Sequence, residues 1–238
     1  MSAIQLGDLK IELIQKDIKN VHLSVLPPHG SVRISAPLHL NESTIRLYAI
    51  SKLAWIRNQQ YKVIHQARES KREFINKESH YYLGKRFLLR VKIEDAPPKV
   101  QLNGRTYLDL HVRPNTSQEQ RQVIMNEWYR AELKKMIPSL LHKWEKKIGV
   151  SADDWGVKKM KTRWGTCNIE KQRIWFNLEL AKKPLQCLEY ILVHELVHLL
   201  ERRHNERFMA YMDKFMPQWR HYREELNRLP ISHADWVY

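Results

Sequence analysis

Three histidines and one glutamate in the last third of the chain have the types and spacing of a metal-dependent hydrolase site. His194, Glu195 and His198 form a His-Glu-x-x-His pattern, and His204 follows six residues later. Histidines four apart on a helix point to the same side, so both imidazoles can bind one zinc ion at about 2.0–2.1 Å. Glutamate is not needed as a ligand and can take a proton from water that zinc activates. We predict His194 and His198 as ligands of one Zn²⁺ and Glu195 as the catalytic base.

His204 is the candidate for the third ligand, because a catalytic zinc needs three protein ligands and one open position. On a continuous helix it would be rotated about 240° from His198 and would face away. We therefore expect the helix that begins at Pro184 to end near residues 201–203, with Asn205 capping the next helix. The alternative to a metal site is that these side chains are core residues whose polar groups are satisfied within the protein. However, a buried histidine and glutamate on so apolar a helix are costly without a partner.

The periodicity of apolar residues and the turn signals predict the elements that position these residues. No internal repeat is evident in the sequence. Residues 162–167 are expected to form a loop or turn. We divide the chain into residues 1–115, a β-rich segment with a helix, and residues 116–238, the catalytic domain. The other predicted elements are a hairpin at 21–36, a helix from 41 to about 71, strands within 80–112 with a turn at Asn103-Gly104, a helix at 118–147, strands at 157–160 and 173–177, a helix at 184–202 and an amphipathic segment at 208–219.

Charge and composition restrict the partners. The 238-residue chain has a formal charge of +15, and residues 57–92 contain ten Lys and Arg against three Glu. This balance favours acidic partners such as nucleic acid, although a solvated basic surface is the simpler explanation. No run of eighteen apolar residues, no signal-peptide pattern and only two cysteines are present, so we expect a cytoplasmic protein without membrane contact. The oligomeric state stays open.

Several segments together resemble the YgjP-like metallopeptidases, which are zincins related to the WLM and SprT-like groups. The resemblance covers nearly the whole chain, and its C-terminal motifs are the specific ones. It rests on Arg163-Trp164-Gly165-Thr166-Cys167, Ile174-Trp175-Phe176-Asn177, His194-Glu195-Leu196-Val197-His198 and His204-Asn205, with weaker matches at Val32-Arg33-Ile34-Ser35-Ala36-Pro37 and Trp55-Ile56-Arg57.

The resemblance implies an α+β fold: a zincin-like catalytic domain with a small twisted sheet packed on the active-site helix, plus an N-terminal β-rich segment and a long helix. It implies one zinc ion on His194, His198 and His204, with Glu195 as base, and an extended peptide substrate that pairs with the strand at 174–178. Metzincin membership is not expected, because residues 199–203 contain no glycine.

Arg163 has two interpretations: it contacts the substrate carbonyl or oxyanion, or it braces its loop against an acidic residue. For the whole chain, we predict a zinc metallopeptidase that hydrolyses protein or peptide substrates. The alternative is a nucleic-acid-associated module with structural zinc, or a protease that acts on DNA-bound proteins. A fourth protein ligand would indicate structural zinc.

Overall fold

The computed structural model describes residues 2–26, 29–65, 72–160 and 163–230. Within these ranges the protein is a mixed α+β fold with three small sheets and six α-helices, which confirms the predicted fold class. The chain forms two compact units, Met1–Glu69 with Pro230–Tyr238, and Ser70–Leu229. The division into domains at residue 115 stays a prediction. None of the described helices is long and apolar enough to cross a membrane.

The first unit contains a four-stranded sheet and two helices. Its strands lie in the order β1-β2-β4-β3, with β2 and β4 parallel and the outer pairs antiparallel. Alternating side chains of β2 and β4 bury an apolar core with Ile45 and Ile56 of the helices. The elements are β1 Ser2–Leu6, β2 Leu9–Lys16, β3 His22–Leu26, β4 Ser31–Pro37, α1 Glu42–Ser51 and α2 Leu53–His65.

Two predictions in this unit have different outcomes. The hairpin at 21–36 is confirmed by the antiparallel pairing of β3 with β4, although Pro27 and Pro28 lie outside the described residues. The single helix predicted at 41–71 is wrong, because the chain leaves helical geometry at Lys52, where φ is −105° and ψ is 5°. Residues 66–71, its predicted end, are also outside the described residues.

The second unit begins with another four-stranded sheet, in the order β5-β6-β8-β7. Its central pair is parallel and its outer pairs are antiparallel, so its topology repeats that of the first sheet. The hairpin predicted at Asn103-Gly104 joins β7 to β8, and Gly104 has a positive φ of 62°. The strands are β5 Ser79–Tyr82, β6 Lys85–Ile93, β7 Lys99–Asn103 and β8 Tyr107–Val112.

The long helix predicted next is α3, Gln118–Ile148, and it continues through Pro138. Ser117 and Gln120 form a reciprocal capping box at its start. Gly149 ends it in the left-handed region, with φ 83°, as is typical of glycine after a helix.

The remaining elements of the second unit surround the histidines. A three-stranded sheet in the order β10-β11-β9 is followed by a short 3-10 helix at Leu178–Lys182 and three α-helices. The predicted loop at 162–167 is wrong from Gly165 onward, because β10 begins there; Thr162 lies outside the described residues. The elements are β9 Asp154–Lys158, β10 Gly165–Asn168, β11 Arg173–Asn177, α4 Leu185–Val197, α5 Glu206–Phe215 and α6 Trp219–Arg228.

Candidate metal centre

Helix α4 brings two of the predicted ligands to its C-terminal end. His194 lies in its last turn, and His198 is the C-cap residue. The helix ends earlier than the predicted 201–203, because i+3 hydrogen bonds follow: Leu199 N donates to Leu196 O at 3.0 Å, and the next pair repeats this at 2.9 Å. This tighter turn redirects the chain immediately after His198.

The chain reversal presents His204 to the other two histidines. Asn205 caps α5 as predicted, because its side chain accepts a hydrogen bond from Phe208 N at 3.0 Å. One nitrogen from each of His194, His198 and His204 lies within 4.8 Å of the others. The structure therefore assembles the three predicted ligands into a group that could hold a metal ion.

The histidine group fits a zinc ion in spacing and protonation. The Nε2 atoms of His194 and His204 are 3.0 Å apart, close to the roughly 3.3 Å expected between two ligands of a tetrahedral zinc. Burial, reinforced by the neighbouring histidines, lowers the pKa of His194 to about 3, so its ring is neutral as a metal ligand must be. The buried Nδ1 of His194 has no hydrogen-bond partner among the described residues, so its ring orientation is not set by a hydrogen bond from these residues.

His198 has a defined orientation. Its Nδ1 lies 3.1 Å from the carbonyl oxygen of Glu201. A carbonyl can only accept, so Nδ1 donates the proton and Nε2 keeps its lone pair for a metal. The backbone of the turn thus selects the ring nitrogen of His198 that is available as a ligand.

Phe208 of α5 supports all three imidazoles. It is buried, and its ring centroid lies 5.0, 4.8 and 4.7 Å from those of His194, His198 and His204. Ring contacts at these distances are favourable aromatic pairs. The sequence predicted only an amphipathic segment at 208–219, and it did not predict that Phe208 packs against the histidines.

Glu195 lies on the side of α4 that packs against β10, and it is only 4% exposed. Gly165 makes room for its carboxyl group, because a Cβ at position 165 would lie 2.6 Å from Glu195 Oε1. Burial raises the pKa of Glu195 to about 8, and the charge of Arg163 opposes this shift. A nearby divalent cation would favour the carboxylate form further.

Asn177, the last residue of β11, fixes the loop that contains Arg163. Its Nδ2 donates to the carbonyl oxygens of Arg163 at 2.7 Å and Met160 at 3.0 Å, and its Oδ1 accepts from Glu179 N at 3.2 Å. The Arg163 side chain is exposed and makes no hydrogen bond or ion pair with the described residues. Bracing of this side chain by an acidic residue is therefore not seen within the described ranges, and its contact with substrate stays a prediction.

Substitution of Asn177 by alanine should destabilise the protein by about 3 kcal/mol, because it leaves the buried N–H of Glu179 and two partly buried carbonyl oxygens without their partner. Thermal or urea unfolding of the full chain would measure the loss. Asn168→Ala is the matched control, since Asn168 is exposed and its side chain accepts a single hydrogen bond from the described residues, from Lys171 N at 3.0 Å. Equal stability of the two variants would contradict the role given to Asn177.

β10 and β9 are the two edge strands of the three-stranded sheet, and β10 is the one beside Glu195. Residues 174–178 were predicted to pair with the substrate, but β11 lies between β10 and β9 and pairs with both. That prediction is wrong, because a central strand has no free backbone groups left for a third chain. β10 pairs only with β11 among the described strands, and it begins at Gly165 beside Glu195.

The crystal structure of the metallopeptidase zymogen of Pyrococcus abyssi abylysin is similar over 38% of this chain and 91% of that chain, at 19% identity and a TM-score of 0.36. The curated proteins contain no match. Residues 19–229 match the YgjP-like, metallopeptidase domain. Because that match spans most of the 238 residues, the chain belongs to the YgjP-like metallopeptidase family.

Proposed function

We propose that the protein is a zinc-dependent peptidase that hydrolyses peptide bonds, with His194, His198 and His204 as ligands and Glu195 as general base. The observation that carries the proposal is the three-histidine group with a buried carboxyl on the same helix, facing β10. Within the described residues this metal-ligand group contains three members. Three ligands leave one tetrahedral position open, as catalytic rather than structural zinc sites do.

In the proposed reaction, Glu195 is the residue of the protein that transfers the proton. Zinc, when bound, supplies Lewis-acid polarisation and lowers the pKa of a coordinated water. The Glu195 carboxylate accepts a proton from the attacking water and then donates it to the nitrogen of the leaving amine, so the residue returns to its starting state. Arg163 lies near enough to influence Glu195 electrostatically, and we assign its guanidinium to the developing oxyanion of the substrate.

The substrate is proposed to be an extended peptide that pairs with the open edge of β10. Backbone pairing supplies affinity with little demand on the peptide sequence, and it suits unfolded segments of proteins. Because β10 begins beside the Glu195 carboxyl, a peptide on this edge would pass in front of the base.

Removal and return of zinc test this function. We expect the full chain loaded with one equivalent of zinc to cleave an unfolded protein such as reduced casein. Chelation should stop cleavage, and a stoichiometric return of zinc should restore it. Cleavage that is equally fast in the chelated protein, with zinc content checked by elemental analysis, would exclude the proposed site as its source.

A further inference from the structure

The ring of Phe208 lies at nearly the same distance from each of the three candidate ligands. The ring centroids of the histidines are 4.9, 4.9 and 4.7 Å from one another. The Phe208 centroid in turn lies 5.0, 4.8 and 4.7 Å from the same three rings. The four rings therefore form a nearly regular tetrahedron, with Phe208 on the axis of the histidine triangle. One buried side chain packs against every imidazole of the group, so it restricts the orientation of all three.

Hydrogen bonds from outside the group orient only one of these imidazoles among the described residues. A metal-binding histidine usually donates its other ring N–H to a carbonyl or carboxylate, which fixes the ring. His198 does so, since its Nδ1 lies 3.1 Å from the carbonyl oxygen of Glu201. The buried Nδ1 of His194 has no such partner within the described ranges, and His204 makes no hydrogen bond there apart from its contact with His194. Two of the three rings therefore lack the bond that usually positions a ligand.

His204 is the ligand that most needs another form of support. It is exposed and lies in the turn between α4 and α5, outside any helix. The next residue, Asn205, caps α5 by accepting a hydrogen bond from Phe208 N at 3.0 Å. Met212 and Phe215 bury the same side of α5 and so anchor the helix in the core. One short segment thus contains the third ligand, the helix cap and the ring that packs on the ligand.

We propose that Phe208 is a positioning residue of the metal centre, whose ring holds the imidazoles of His194 and His204 in the orientation for metal binding. It does so by close packing, in the role that a hydrogen bond has for His198. Phe208 offers no ligand atom and acts only through the histidines. A group that is oriented before the metal arrives loses less conformational entropy on binding. This inference rests on the zinc centre of the proposed function and adds a residue on which its affinity depends.

The zinc affinities of two Phe208 variants test this role. Phe208→Leu removes the ring and keeps an apolar side chain, whereas Phe208→Met fills nearly the same volume with a flexible chain. Competition between the full-length protein and a chromophoric chelator gives the dissociation constant for zinc. We expect both variants to bind zinc about 30-fold more weakly than the parent, as is typical when a residue that orients a metal ligand is lost.

Phe215→Leu is the matched control, because it makes the same chemical change at another buried position of α5. Its ring stacks on Tyr211, with the two centroids 6.1 Å apart, and not on a histidine. Thermal unfolding of the chelated proteins measures the loss of packing in each variant. The control should unfold at a lower temperature than the parent, yet bind zinc within about twofold of the parent value, as for sites that share no partner.

Cobalt in place of zinc gives a second measurement, which a loss of packing alone would not change. Four-coordinate Co²⁺ absorbs visible light more strongly than Co²⁺ with five or six ligands, so this absorption reports the coordination of the bound ion. The cobalt-loaded parent and Phe215→Leu should have the same absorption. Phe208→Leu should absorb more weakly, because loosely held imidazoles admit additional water ligands.

Parental zinc affinity in both Phe208 variants, or an equal loss of affinity in Phe215→Leu, would overturn the proposal. Failure of the parent to bind zinc would also overturn it. The same holds if both Phe208 variants are unfolded without zinc, because Phe208 would then be a core residue rather than a positioning residue.

Failure of the proposed function is distinguishable, because zinc affinity is measured without substrate. If the parent binds zinc in a manner that depends on Phe208 but cleaves no protein, only the function is wrong. If the parent cleaves with zinc and the Phe208 variants keep its affinity, only this inference is wrong.

Discussion

Hydrolysis by the Glu195→Gln variant should fall about 1000-fold while zinc stays bound at one equivalent. A general base contributes roughly 10²–10⁴-fold to such reactions, and glutamine cannot accept the proton. The amide has nearly the size of the carboxyl, so it can occupy the space beside Gly165. A neutral amide also costs less to bury than a charged carboxylate, so folding should be preserved.

Three measurements on the same preparation check this result: cleavage rate, zinc content and thermal unfolding. Glu201→Gln is the matched control, because it makes the same chemical change six residues later. The side chain of Glu201 accepts a hydrogen bond from Arg203 N at 3.1 Å, whereas it is the backbone carbonyl of Glu201 that contacts His198. The control should cleave like the parent. Parental activity in Glu195→Gln would mean that another group takes the proton.

Gly165→Ala should lower kcat about 100-fold with little loss of zinc or stability. The added methyl would lie 2.6 Å from Glu195 Oε1 and 2.8 Å from its Cγ, closer than carbon atoms approach. The Glu195 side chain is the part that can move, so the cost appears as a displaced base rather than as unfolding. A displacement of about 1 Å in a catalytic group can cost 100-fold in rate.

Steady-state kinetics with zinc analysis would separate this effect from a loss of metal. Thr166→Ala is the control, since Thr166 is the next residue of β10 and points to the opposite face of the strand. We expect its kcat to stay within about threefold of the parent value, as for a surface change away from the site. If Gly165→Ala is as active as Thr166→Ala, the packing of Glu195 against β10 has no catalytic importance.

The sequence predicted that His194, His198 and His204 come together, because the signals for this grouping are local. The spacing of His194 and His198 on an apolar helix defines one face, and the need to turn before His204 follows from helix geometry. Asparagine is favoured at the N-cap position, so Asn205 correctly indicated where the next helix starts. The end of α4 was placed several residues too late, because nothing in the apolar run after His198 breaks a helix.

Strand pairing was predicted poorly, since it depends on contacts far apart in the sequence. Both central parallel pairs, β2 with β4 and β6 with β8, were missed, and so was the repeat of one topology in the two four-stranded sheets. β10 has only four residues and contains glycine and asparagine, so its composition indicated a loop. The prediction that residues 174–178 pair with substrate was wrong because the pairing of β11 with both β10 and β9 was not foreseen.

Nucleic-acid binding stays a prediction, as does the cytoplasmic location. The basic stretch 57–92 is divided between the two compact units, and Asp109 pairs with two of its cations, Arg90 at 2.7 Å and Lys92 at 2.9 Å. Binding to DNA or RNA that weakens steeply with salt would support the prediction.

The contact of His194 with His204 also has a thermodynamic consequence. They are ten positions apart in the sequence, so an ion held by both would cross-link α4 to the turn that precedes α5. Such an ion binds the folded chain and not the unfolded one, and it would stabilise the fold by about 4 kcal/mol when free zinc exceeds the dissociation constant 1000-fold. The melting temperature of the protein would then report the zinc concentration around it, and chelation would loosen α5, with Phe208, before the rest of the second unit.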